Sequence, residues 1–157
     1  MIEEFLWSMA DDNSPMGNDT GADVVHFYQQ WRSLEPYSNS TVFLLDLMEQ
    51  WGYQDATYVS WSGSMTDLIR EHGQMLREAY EGQDVSIIND RDDIVIALAF
   101  AQLVVDGYIE PEIKKAALSA IARQAEDFTI DSRCCNEEIK AERNYRLTRM
   151  KQIVQVA

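Results

Sequence analysis

"IVIALAFAQLVV", residues 94–105, is apolar all the way around a helix apart from Gln102. A helix with one apolar stripe can lie on the surface of its domain, but one that is apolar on every side must be covered by neighbours. The run is too short to cross a bilayer, which takes about 20 residues, so the cover has to come from this chain. The stretch therefore predicts an all-α domain built around a central helix over roughly 93–106. Asn89 or Asp90 is the expected cap, with Asp92 and Asp93 in the first turn. Gly107 is placed to end that helix and Pro111 to begin the next.

The neighbours can be read outward from there. Val24, Phe27, Tyr28 and Trp31 fall at helical spacing, as do Leu44, Leu47, Met48 and Trp51. A third stripe runs Met65, Leu68, Ile69, His72, Leu76, Ala79, Tyr80, capped by Ser64. A further one carries Ile113, Ala116, Ala117, Ala120 and Ile121, and a last one Leu147, Met150, Ile153 and Val154. Glu137 and Glu138 open that last helix and Arg146, Arg149 and Lys151 lie near its end, as the helix dipole prefers. About six helices result, in one domain over 1–157, a length that gives room for a real core. Only "YQDATYVSW" (53–61) breaks the pattern. Its β-branched and aromatic residues predict a short extended stretch near 56–61.

At 46% hydrophobic residues the chain is not of disordered composition. "MIEEFLWSMADD" opens with acids where a secretory leader would be basic. Two adjacent cysteines, Cys134 and Cys135, make no disulfide framework. A cytoplasmic location and no membrane partner are the expectations.

The net charge of −14 is unevenly distributed. Residues 1–69 hold eleven acids against Arg32 alone, residues 70–112 ten acids against three arginines, and residues 113–157 six acids against nine bases. Such a field repels nucleic acid and attracts basic partners. The basic run "KAERNYRLTRMKQ" near the end, with Arg143, Arg146, Arg149 and Lys151, is expected to pair with the acidic part of the same domain.

Candidate chemistry is sparse. In "SPMGNDTGADVVHFYQQW" (14–31), counting from Asp12 as the first position puts Ser14, Gly17 and Asp23 at calcium-loop positions 3, 6 and 12. Met16 occupies a position that needs an oxygen, and Asp23 is shorter than the usual bidentate Glu. Asn18 capping a helix, with Asp19 and Asp23 near its positive end, explains the same residues. "NDRDD" (89–93) offers Asp90, Asp92 and Asp93 for a divalent ion, but no phosphate cradle accompanies them. His26 and His72 have no Cys-x-x-Cys or His-x-x-x-His spacing for zinc. No Gly-x-Ser-x-Gly elbow provides a nucleophile.

"MGNDTGAD" (16–23) resembles the N-terminal signature of a family of small bacterial domains of unknown function, an Asn-Asp-x-Ala-x-Asp type run leading into the first helix. Asn18, Asp19, Ala22 and Asp23 carry the pattern. "IVIALAFAQLVVDG" is similar to that family's alanine-rich central helix, and "CNEEIKAERNYRLTRMKQIV" to its closing helix. The resemblance implies an all-helical fold and a bacterial or phage source. It implies no mechanism.

Two functions follow as expectations. The first is a non-catalytic acidic binding protein, an inhibitor or immunity-type protein acting on a basic protein surface such as a toxin or a nucleic-acid-handling defence enzyme. Asp11, Asp12, Glu35, Asp55, Glu81 and Asp84 are its candidate interface, the last two on the loop after the third helix. It needs no cofactor and no direct nucleic acid, and it leaves a homo-oligomer open. The second is a small divalent-metal-dependent enzyme or calcium-binding helical domain using Asp12, Asp19, Asp23, Asp90, Asp92 and Asp93.

Overall fold

The computed structural model describes residues 4–8, 11, 14–53 and 61–157. A 3-10 turn at Glu4–Trp7 precedes α1 (Asp19–Leu34), α2 (Ser40–Gln50), α3 (Met65–Ala79), α4 (Asp84–Val105), α5 (Pro111–Gln124), α6 (Asp127–Arg133) and α7 (Glu137–Val156). No strand occurs among the described residues. Of the extended stretch expected near 56–61, residues 56–60 lie outside the described residues, and Trp61 is buried.

Helix α4 is the hub. α1, α3 and α5 pack on it, α7 lies against α5, and α6 bridges α5 and α7. Every residue from Ile94 to Gln102 is buried, Gln102 included. A buried amide has to be satisfied. Gln102 Nε2 donates to Ser40 Oγ at 2.7 Å, and its Oε1 accepts from the Glu110 amide at 3.1 Å. Gly107, at φ 80°, turns the chain out of α4 in a left-handed conformation that a side chain would strain.

Among the described residues there are seven α-helices, in keeping with the expectation of about six, and α4 starts more than a turn before the expected cap. Asn89 and Asp90 lie inside it, and so do Asp92 and Asp93. The reason is tertiary. Acids in mid-helix mimic a helix start in sequence, yet here they face arginines from α5 and α6. Meanwhile Ile87 and Ile88 extend the apolar cover toward α3. Asp84 is accordingly the first residue of α4 and not part of a loop.

The capping expectations hold at several other ends. Asn18 accepts from Gly21 N at 2.6 Å. Ser64 and Asp67 form a reciprocal capping box at the start of α3. Pro111 opens α5. Before α1 the chain winds tightly over itself. A Cβ on Gly17 would lie 1.7 Å from the Asp11 carbonyl oxygen, and one on Gly21 2.2 Å from that of Pro15. Ser14 Oγ donates to the Leu6 carbonyl at 3.2 Å inside that coil, which seats Leu6 and Met16 in the core.

Candidate protein-binding groove

Helix α1 carries more apolar surface than α4 can cover. Val24, Val25 and Tyr28 are buried, but a second line on the same helix, Phe27, Trp31 and Leu34, turns toward α2. The two helices meet there through rings. Phe43 stands edge-on to Tyr28 at 5.1 Å and tilted against Trp31 at 5.4 Å, and Phe27 meets Trp51 at 6.5 Å. Between them runs an open cleft of about 220 Å³. Its floor is Phe27, Trp31, Phe43 and Leu47, and its rims carry Gln30 and Leu34 on one side and Asp46 and Gln50 on the other. Phe27 is 40% exposed and Leu34 80%. The expected stripe Val24–Phe27–Tyr28–Trp31 is thus core along one edge and surface along the other.

A polar clasp fixes the cleft at one end. Arg32 donates to Tyr28 Oη at 2.8 Å, Ser40 Oγ at 2.8 Å and the Ser38 carbonyl at 2.7 Å, and its Nε lies 3.2 Å from Asp106. The Ser40 amide, the first of α2, donates to Glu110 at 2.8 Å. Burial, followed by the hydrogen bond to Asp106, pushes the Tyr28 hydroxyl above its ordinary value. Burial alone would lower the Arg32 guanidinium. Its bond to Tyr28 and the charges of Asp106 and Glu110 outweigh this and raise it. The single base of residues 1–69 is therefore neutralised where it sits, over the ring of Trp31.

The surrounding acids have no such partner. Asp19 and Asp23 are exposed on α1, and Asp46 and Glu49 on α2. Among the described residues no cation reaches ion-pair distance of these four. Arg70, Arg77, Arg123, Arg133, Lys140 and Arg146 each pair with a carboxylate of this chain.

The residues singled out in the sequence are scattered by the fold. Asp11 pairs with Arg146 on α7, in line with the expected internal pairing of that basic helix, and Asp84 pairs with Arg77 at 2.9 Å. Glu35 ends α1 and accepts from Ser38 Oγ, and Glu81 is exposed in a left-handed turn at φ 56°. Asp12 and Asp55 lie outside the described residues. Of the candidate metal ligands, Asp92 is fully buried and held bidentately by Arg123 at 2.7 and 2.9 Å, and Asp93 is held by Arg133 and Gln124. Burial raises the Asp92 carboxyl to about 6 despite Arg123. Burial and then Asp93 raise Asp90 as well. Asp19 and Asp23 stand apart from that group on the outer face of α1. Among the described residues no cluster of His, Cys and carboxylates adopts metal-ligand geometry. His26 is exposed beside Phe27, and His72 stacks on Trp61 at 4.6 Å. Cys134 and Cys135 are free thiols.

The cleft itself was missed in the sequence. Its one signal there is that Phe27 and Leu34, seven apart with Trp31 between, extend α1's apolar arc beyond what a single neighbour can bury.

No protein-family model matches this chain. No curated protein and no solved structure matches it either. Among the described residues no helix is long and apolar enough to cross a membrane.

Proposed function

We propose that this chain is a non-catalytic acidic binding protein that acts on a basic protein surface. The observation that carries the reading is the asymmetry of its charges. Among the described residues seven of its thirteen bases are held in internal ion pairs, while Asp19, Asp23, Asp46 and Glu49 are exposed with no cation at ion-pair distance, Asp46 on the rim of an open aromatic cleft. Unpaired surface carboxylates steer association with a cationic partner, and apolar anchors then hold it. Inhibition is the finer reading. An immunity protein for a toxin, or an inhibitor of a nucleic-acid-handling defence enzyme, uses carboxylates in the places meant for phosphates. The bacterial or phage source implied by the Asn18–Asp23 signature suits either role.

The test is capture by tagged protein at low and at high salt, with Asp46→Lys/Glu49→Lys beside the native chain. A basic protein held at low salt, released at high salt and lost by the double variant is the expected result. If nothing salt-sensitive is retained, the acidity is only a matter of solubility and the reading falls.

A further inference from the structure

We infer that the α1–α2 cleft takes a basic amphipathic helix from the partner, seated lengthwise with its apolar face on Phe27, Trp31, Phe43 and Leu47 and its cations toward Asp46, Glu49 and Asp23. This deepens the binding reading above and rests on it. Three features of the cleft select that occupant.

The first is shape. The cleft runs between two helices, and a third helix can lay its ridges of side chains into such a channel. α2 has 11 residues, about 16 Å at helical rise, which matches roughly three turns of a docked helix. The second is the surface offered. The floor is rich in rings, which give large contact area with few torsions to freeze, and Leu34 stands 80% exposed at its rim. Apolar anchors at i, i+3 or i+4, and i+7 on the incoming helix would fill it.

The third is charge. On α2 Asp46 lines the cleft and Glu49 follows one turn on, and on α1 Asp23 lies one turn before Phe27. Arg32, the one base of α1 and α2, is already held by Tyr28, Ser40, Asp106 and Glu110, so it does not cancel them. Lysines or arginines flanking an apolar stripe therefore meet an acid on either side. A neutral or acidic helix would leave those carboxylates beside an apolar contact.

Two synthetic 14-residue peptides of equal positive charge test this, one with leucines at i, i+4, i+7 and i+11 and one with serines in their place. Binding is followed by amide and indole shifts of the ¹⁵N-labelled protein. The leucine peptide is expected to bind about tenfold or more tightly than the serine peptide. Its shifts should centre on Phe27, the Trp31 indole and Leu47. Leu34→Asp, at a position too exposed to disturb the fold, should weaken the leucine peptide about tenfold with little effect on the serine peptide. Equal, salt-sensitive binding of both peptides would overturn the groove inference and leave the acidic binding reading standing. Shifts centred away from α1 and α2 would overturn it too. If neither peptide binds at low salt, the groove inference falls, and the capture experiment then decides the binding reading separately. Sedimentation of the protein alone covers the remaining occupant. Concentration-dependent dimers that Leu34→Asp abolishes would assign the cleft to a second copy of this chain and overturn the partner helix.

Discussion

The α4–α5 interior and the α1–α2 cleft use the same residue types in opposite ways. Inside, Asp92 and Arg123 are almost wholly excluded from water and bonded through two parallel contacts, with Arg123 also donating to the Gly63 carbonyl at 3.2 Å. Beside it Asp93, Arg133, Gln124 and Arg143 form a chain of contacts linking α4, α5, α6 and α7. Outside, among the described residues, Asp23, Asp46 and Glu49 meet no cation, and Asp46 borders aromatic rings open to solvent. A buried charge fixes geometry because leaving it unpaired is costly. An exposed one costs almost nothing to leave unpaired, so it remains available to a partner. The two regions differ in burial and in whether a cation stands beside the acid.

The largest expected effect breaks the interior. Arg123→Ala strands Asp92 in the core and should cost about 3–5 kcal/mol, read as a fall in the urea midpoint. The same measurement on Leu34→Asp should change stability by no more than about 0.5 kcal/mol. If the two variants proved alike, the distinction between regions would collapse.

Next comes pH. The folded Asp92 carboxyl titrates near 6 against an ordinary 3.8, so the native state holds a proton that the unfolded chain has released between those values. Asp92's contribution to stability is therefore fully present below about pH 4 and is lost as pH rises toward 6, with a slope of at most about 1.4 kcal/mol per pH unit. Denaturation curves across that window should show this fall, and Asp92→Asn should flatten it.

Smaller still is the capping box of α3, which borders the interior through Gly63. Ser64→Ala removes the bond to the Asp67 amide at 3.1 Å and should cost about 1 kcal/mol, seen as a lower melting temperature. Smallest is Asp46→Lys/Glu49→Lys, whose effect on stability should stay within about 0.5 kcal/mol per site while the association described above is lost. That combination, unchanged folding with changed binding, sharpens the comparison most.

Much of the architecture was readable in advance, and for local reasons. An apolar run from Ile94 to Val105 demands cover, and Asn18, Ser64, Gly107 and Pro111 act through backbone groups within a few residues of themselves. The sixth helix, Asp127–Arg133, was not readable. Seven residues carry too little periodicity, and its apolar content is one buried Ile130 beside an exposed Phe128. Nor did the acids of "NDRDD" declare themselves. Asp92 is pinned by an arginine 31 residues away, and nothing within the run distinguishes it from Asp90, which is only partly covered.

By itself, then, the sequence determined that the chain is all-helical, that one helix lies at its centre, where most helices start and stop, and that its charge is strongly negative. Helix period and capping act over a few residues, and net charge is a sum that folding does not alter. Which charges are consumed inside and which remain outside was decided only by tertiary structure. So was the opening of the second apolar line of α1 into a cleft. Pairing and burial depend on which helices come together, and that is a property of the packed whole.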